Sequence, residues 1–198
     1  MTIQTRTTEL EAVNTILSTI GEAPLNSLSG SLPVDGTVAK NVLSEVAREV
    51  QSAGWHFNTH IMVTLSRDTD NKIPLATNIV RVEIKPTKYS KSSYDIVQRG
   101  GFLYNMAKNT EIFDTDFDEA TVVYLLPFAE IPEQAKRYIT IRSARIFHDR
   151  TLGANTLHKF TLEDEGKALS ILKQAESHTG DYSIFDTPEQ AYIITRGY

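Results

Sequence analysis

The sequence contains no cysteine. This excludes disulfide bonds and thiolate metal sites, so packing alone has to hold the fold together. The sequence also lacks any apolar run near the ~20 residues that cross a bilayer. The first residues lack the apolar core of a signal peptide. We therefore expect a soluble, non-secreted protein with no membrane partner.

Recognisable catalytic motifs are missing as well. There is no Gly-x-Ser-x-Gly, Walker loop, His-Glu-x-x-His or dinucleotide fingerprint, and serines and histidines are scattered. The residues thus give no positive support for an enzyme, and none for a cofactor or a metal. Basic residues are outnumbered by acidic ones, for a formal net charge of -5. Because DNA binding depends on neutralising phosphates, the chain as a whole should repel DNA.

Apolar residues repeat at helical spacing near both ends of the chain. Thr8 and Glu11 are spaced as a capping box ahead of the first such pattern, and Thr161 and Asp164 repeat that spacing ahead of the last. The predicted helices cover residues 8–20 and 37–53, then run from Pro132 to Gly153 and from Thr161 onward.

Between these helices the period changes to two, which predicts strands. The first strand follows Gly54 and should point a set of alternate residues to one side: Phe57, Thr59, Ile61, Val63 and Leu65. Further strands are predicted at 78–84, 94–99, 102–105 and 120–127. Gly100 and Gly101 suit a two-residue hairpin turn because glycine tolerates positive φ.

This order of elements predicts an α+β fold. We expect a four-helix bundle built from both ends of the chain, with an inserted antiparallel β module and a C-terminal extended arm. The bundle would comprise residues 1–54 and 128–180, the β module residues 55–127, and the arm residues 181–198.

The arm is rich in large apolar side chains, which a solvated tail normally lacks. It either folds back on its own bundle or docks on another subunit; the residues leave both open. The candidate interface residues in the arm are Tyr182, Ile184, Phe185, Tyr192, Ile193, Ile194 and Tyr198. Arg142 and Arg145, in a basic helix, are added as candidates for pairing with acidic surfaces of this chain or a neighbour.

Two patterns imitate metal sites. His56 and His60 form a His-x-x-x-His pair, but four residues of strand separate them by roughly 13 Å, too far for one zinc ion. Residues 114–119 open like a calcium loop, yet Glu119 replaces the glycine of the sharp turn and Leu125 the bidentate glutamate. A charged turn is the favoured interpretation of that segment.

A group of carboxylates lies at residues 163–165. Paired carboxylates can serve a glycosidase, so a carbohydrate-active hydrolase, acting on peptidoglycan or polysaccharide through Glu163 or Glu165, is the alternative function. Acidic residues also favour the first turn of a capped helix, which requires no catalysis. The basic stretch 136–150 gives a third hypothesis, a DNA-binding module, which is weaker in an acidic protein.

Several stretches together resemble the tail tubular protein A family, the head-to-tail adaptors of bacteriophages with short, T7-like tails. The matching stretches are "ELEAVNTILSTIGEAPLNSLSG", "VQSAGWHFN", "VQRGGFLYN", "KRYITIRSARIFHDRTLGA" and "LEDEGKAL". They run in the family's order up to about residue 180, and this combination is more specific than any single stretch.

That resemblance implies a non-enzymatic structural protein of the virion. It implies a homo-oligomeric ring of twelve copies that binds the portal protein and receives the tail nozzle, tail tubular protein B. Double-stranded DNA would pass through the ring during ejection without sequence-specific binding. The ring would be assembled in the host cytoplasm, and the C-terminal arm would reach neighbouring subunits or the portal.

Overall fold

The structure, a computed structural model, describes residues 5–84, 93–153 and 162–179. The helices are α1 (Glu9–Leu17), α2 (Val34–Ser52), α3 (Glu133–Leu152) and α4 (Leu162–Thr179). The strands are β1 (Thr59–Leu65), β2 (Ile79–Ile84), β3 (Ile96–Arg99), β4 (Phe102–Asn105) and β5 (Phe117–Tyr124). Short 3-10 helices occur at His56–Asn58 and Phe128–Glu130. No helix among the described residues is long and apolar enough to cross a membrane.

The capping box predicted at α1 is confirmed. Glu11 N–H donates to the Thr8 hydroxyl at 3.2 Å, and Thr8 N–H donates to the Glu11 carboxylate at 2.7 Å. These two bonds satisfy backbone donors that have no partner inside the helix. The second predicted capping residue, Thr161, lies outside the described residues.

Helix α2 begins three residues before its predicted start at residue 37, because Pro33 and Gly36 are typical loop residues but here lie at its N-terminus. The helix begins at Val34, with Pro33 at its N-cap position. Gly36 is buried in the first turn, where a Cβ would lie 2.9 Å from Leu25 Cδ1. Its small size therefore lets the preceding loop pack directly on the helix.

The prediction of a four-helix bundle with an inserted β module is wrong, although the fold is α+β overall. Helix α3 is central, and α1, α2 and α4 each pack against it. It is buried around most of its circumference rather than along one stripe, as the following buried residues show: Ala135, Lys136, Tyr138, Ile139, Thr140, Ile141, Ser143, Ala144, Phe147 and His148. Helix α4 has only a narrow buried stripe, which suffices for one neighbouring helix.

The strands form two sheets instead of one antiparallel module. One sheet has the order β1-β5-β2, and the other is the β3-β4 hairpin. All pairings between the described strands are antiparallel. The predicted hairpin turn is confirmed, since Gly100 and Gly101 have φ of 60° and 85° between the paired residues Arg99 and Phe102. An isolated two-stranded hairpin is only marginally stable. The apolar residues of this hairpin therefore pack in the same core as those of the larger sheet.

The first strand also departs from its predicted alternation. His56 and Phe57 belong to the 3-10 helix, and β1 begins only at Thr59. The register between β1 and β5 shifts between His60 and Val63, which marks a β-bulge. The bulge turns Ile61 outward, and its side chain is 73% exposed.

The buried apolar residues form two clusters. One lies among α1, α2, α3 and α4, and includes Ile16, Leu43, Ile139, Phe147 and Leu172. The other lies beneath the two sheets, and includes Ile73, Leu103, Phe113, Phe117 and Val122. The domain boundaries predicted after residues 54, 127 and 180 stay predictions, and the predicted arm lies outside the described residues.

Candidate assembly surface and its supports

Arg142 and Arg145, two of the predicted interface residues, are engaged by carboxylates of the same chain. Arg142 donates to Glu165 at 2.6 Å and to Glu49 at 2.7 Å. Arg145 donates to Glu165 at 2.6 Å and to Asp149 at 3.2 Å. We call these five side chains the α3 ion network. It ties α2 and α4 to the central helix by pairing the basic helix with the acidic first turn of α4. The role of the two arginines in an interface stays a prediction.

The network sets the charge state of Glu165. Burial by itself would raise the pKa of this carboxyl group, but the hydrogen bonds from Arg145 and Arg142 outweigh burial and lower the pKa below its ordinary value. For Arg142, burial acts to lower the pKa, and the bonds to Glu165 and Glu49 raise it instead. Both groups are therefore held in their charged forms.

This geometry argues against the hydrolase alternative. A general acid in a glycosidase needs a raised pKa, whereas the pKa of Glu165 is lowered. Glu163 is exposed and pairs with Lys167 one turn along the same helix, at 2.7 Å. The two carboxylates thus have structural partners and do not face each other across a cleft.

Other basic residues of α3 also have partners inside the chain. Arg150 pairs with Glu45 of α2 at 2.8 Å. Lys136 is fully buried, and its ammonium donates to the Thr7 and Ala129 carbonyl groups at 3.0 and 3.3 Å. These contacts hold the N-terminal segment on α3, and they leave little of the predicted basic surface for phosphate groups.

The two patterns that imitate metal sites are accounted for by contacts within the chain. The His60 ring packs on Tyr124 with 4.8 Å between centroids, while His56 lies in the 3-10 helix. Asp114 accepts a hydrogen bond from the Tyr94 hydroxyl at 2.6 Å, and Asp116 from Arg67 at 2.9 Å. Within the described ranges, no three His, Asp or Glu side chains are grouped so as to hold a metal ion.

Sequence reasoning missed a cluster of buried amides where the helices meet the sheet. Asn58 is fully buried, and its Nδ2 donates to the carbonyl groups of Gln51 and Tyr124 at 2.9 and 2.7 Å. Its Oδ1 accepts from Trp55 N–H at 2.8 Å. The Gln51 side chain bonds both backbone groups of Leu126, at 2.7 and 3.3 Å. We call this cluster the amide junction.

The amide junction fixes how the chain passes from α2 into the sheet. Trp55, which lies between α2 and β1, donates its indole N–H to the Val50 carbonyl group at 2.7 Å. Because the bonds join neutral groups and both amide side chains are buried, the junction is specific in direction.

The seven predicted interface residues of the arm lie outside the described residues, so their role stays a prediction. Comparison with known proteins gives an independent result. A family model described as Tail tubular protein matches residues 10–182. A search of curated proteins finds no match. The family match spans most of the chain and confirms the resemblance drawn from the sequence. The chain therefore belongs to the tail tubular protein family, as a structural protein of a phage tail.

Proposed function

We propose that this protein is a head-to-tail adaptor. Twelve copies, assembled in the host cytoplasm, form a ring that joins the portal to the tail nozzle, tail tubular protein B. The observation that carries the proposal is the family match over residues 10–182. A tube with one axis requires contacts between different surfaces of successive copies, and such heterologous contacts close into a ring when the rotation permits.

The charge of the chain supports a conduit for DNA. Each copy has a formal net charge of -5. A ring of such copies presents a field that repels phosphate, so double-stranded DNA passes through without being held. The main basic helix supports this view, because its arginines Arg142, Arg145 and Arg150 are paired with carboxylates of the same chain.

We assign the portal contact to the arm at residues 181–198. Arg142 and Arg145 keep only 25% and 19% of their side chains exposed, so they offer a partner little surface. Their proposed role in the interface is to hold α4, from which the arm continues. The apolar residues of the arm would supply the contact area: Tyr182, Ile184, Phe185, Tyr192, Ile193, Ile194 and Tyr198.

Negative-stain imaging of the purified protein, with and without the cognate portal, tests the proposal. We expect rings in at least the sample with portal, seated coaxially on it. Monomers alone in the presence of portal would refute the adaptor role.

A matched pair of variants tests the role of the arm. The triple substitution Tyr192→Ser, Ile193→Ser and Ile194→Ser should abolish portal binding. Ile171→Ser, at a side chain of α4 that is 56% exposed, should leave binding unchanged. Equal binding by both variants would refute the assignment of the portal contact to the arm.

A further inference from the structure

The outer edge of the larger sheet carries an unusual apolar projection. Ile61 and Met62 are adjacent in β1, and their side chains are 73% and 61% exposed. Single exposed apolar residues are ordinary on protein surfaces, but two in a row on a sheet edge are not. We call this pair the knob.

The backbone at the knob is strained in a way that presents both side chains. Met62 has φ of 60°, which a residue with a side chain adopts at a free-energy cost. Without the bulge at this point, alternation along the strand would turn one of the two residues toward the sheet. The exposure of these two neighbouring apolar side chains is thus accompanied by backbone strain.

The knob also lacks the charges that normally protect a sheet edge. Proteins commonly place lysine or other charged residues on exposed edge strands, because such edges otherwise associate. Residues 54–66 contain no Asp, Glu, Lys or Arg, although 23% of the whole chain is charged. Among the described residues, β1 is an edge strand with β5 on one side only. This edge is suited to being covered by a partner.

A groove beside α2 has a wall of apolar side chains and a polar rim. It lies between α2 and the segment after β5, with a volume of about 310 Å³. Its apolar wall consists of Leu43, Ala47, Leu125, Leu126, Pro127 and Phe128. Glu9, Ser44, Arg48 and Gln51 complete the lining. We call this groove the socket.

The socket is held open by the amide junction. Gln51 bonds the backbone of Leu126 on both its N–H and C=O, so one wall is fixed to α2, which supplies the other. A fixed apolar wall requires no rearrangement on binding, which favours affinity. A dry cavity of about 150 Å³ accepts one benzene molecule, so the socket has room for two aliphatic side chains.

We propose that the knob of one copy inserts into the socket of the next copy in the ring. The inference rests on the proposed ring and identifies its contact between neighbours. The knob lies on the free edge of β1, whereas the socket lies between α2 and the segment after β5. The two features therefore use different residues of the chain, as a head-to-tail contact requires.

The bulge decides between two modes of association. Pairing of β1 with a strand of another copy needs a regular row of free backbone groups, and a bulge interrupts that row. Insertion of side chains into a groove has no such requirement. The contact is therefore knob into socket rather than strand against strand.

Disulfide linking tests the contact, because the natural chain has no cysteine that would compete. Protein with Ile61→Cys is mixed with protein carrying Ala47→Cys under assembly conditions with portal, then oxidised or treated with a short bifunctional thiol reagent. We expect linked dimers from the mixture, and not from either protein alone. The double variant should give a ladder of linked copies on a denaturing gel.

The matched control replaces the knob cysteine with Ile112→Cys, at another apolar side chain that is 58% exposed. Mixed with the Ala47→Cys protein, it should give no linked dimer. Rings that form without knob-to-socket linking would overturn this inference and leave the adaptor role standing. Linking of Ile61→Cys to itself would also overturn it. Failure to form rings even with portal would overturn both.

Substitution gives a second measurement. The double substitution Ile61→Asp and Met62→Asp should raise the concentration at which half the rings dissociate by roughly tenfold or more. The free energy gained by burying each apolar side chain exceeds the free energy that corresponds to a tenfold change in the dissociation constant. The monomer should keep its circular dichroism spectrum and melting temperature, since both side chains are exposed. Ile112→Asp should leave ring stability unchanged, and equal effects of the two changes would contradict the knob.

Discussion

The amide junction and the α3 ion network join the same helix, α2, to different parts of the molecule by opposite means. The junction uses neutral side chains that are almost completely buried, with Asn58 at 0% and Gln51 at 2% exposure. The network uses charged side chains, of which Arg142 keeps 25% and Glu49 keeps 57% of its side chain exposed. One connection depends on dry, directional hydrogen bonds, and the other on charge that water and salt can weaken.

The difference teaches where this protein is rigid and where it responds to conditions. The bonds of the junction involve no titrating group, so pH should not affect them. The network depends on an ionised Glu165, so acid should weaken the attachment of α4 to α3. The connection from α2 to the sheet should therefore not change with pH, whereas the contact of α4 with α3 should depend on pH.

The largest effect is expected from Asn58→Ala. The change leaves the Trp55 N–H and the carbonyl groups of Gln51 and Tyr124 without their partner, in a site that water does not reach. Unsatisfied buried groups and the small cavity should together lower the free energy of unfolding by about 3 to 4 kcal/mol. Urea denaturation measures this change. Asn78→Ala, at an exposed amide bonded to Leu125, is the control and should have little effect.

A smaller loss is expected from Glu165→Ala. It removes the carboxylate that Arg142 and Arg145 share, and leaves Arg142 with Glu49 and Arg145 with Asp149. We expect a decrease of about 2 to 3 kcal/mol in the free energy of unfolding, since one partner of a nearly buried ion pair is lost. Glu163→Ala, in the same helical turn but 77% exposed, is the matched control. Equal losses in the two variants would show that helix charge, rather than the network, stabilises α4.

The pH dependence separates the two connections. The pKa of Glu165 is lowered in the folded chain, so its contribution is fully present above the unfolded value of about 4.3 and is lost as pH falls through the folded value. The difference in stability between the natural chain and Glu165→Gln should therefore shrink as pH falls below about 4. Urea titrations at several pH values measure it. Asn58→Ala should retain the slope of the natural chain.

The smallest effect is expected from Arg150→Ala. Arg150 and Glu45 are each about half exposed, at 51% and 52% of their side chains, so water screens their attraction. The melting temperature should fall only slightly at low salt and not at all at high salt. Thermal melts at two salt concentrations test this. A large loss that persists in high salt would mean that exposed charge contributes to the α2–α3 contact as much as the network does.

The parts of the fold that were predicted correctly depend on neighbours in the chain. The capping box at Thr8 and the turn at Gly100 and Gly101 are set by local backbone chemistry, which a few residues specify. The charged pairing of the basic helix with the acidic turn after it was also foreseeable from opposite charges at short separation.

The errors concern contacts between distant residues. The alternation of residues in β1 does not reveal that a bulge opposite β5 exposes Ile61 to solvent. The pairing register depends on both strands, and β5 lies far along the chain. The helical spacing of apolar residues in α3 predicted one buried face, yet α3 packs against three helices. Even Lys136 is buried there, because backbone carbonyl groups accept hydrogen bonds from its ammonium group. The amide junction was missed since Gln51 and Leu126 are 75 residues apart.

The amino-acid sequence by itself determined the order of helices and strands, the cap at Thr8, the turn at Gly100 and Gly101, the negative charge and the family, because each follows from composition or from short-range order along the chain. Tertiary structure alone decided that α3 is central, that the strands divide into two sheets, and that Ile61 and Met62 are exposed side by side on a sheet edge. The reason is physical: burial, register and the satisfaction of polar groups depend on what packs against a residue, and that partner is chosen by the whole fold.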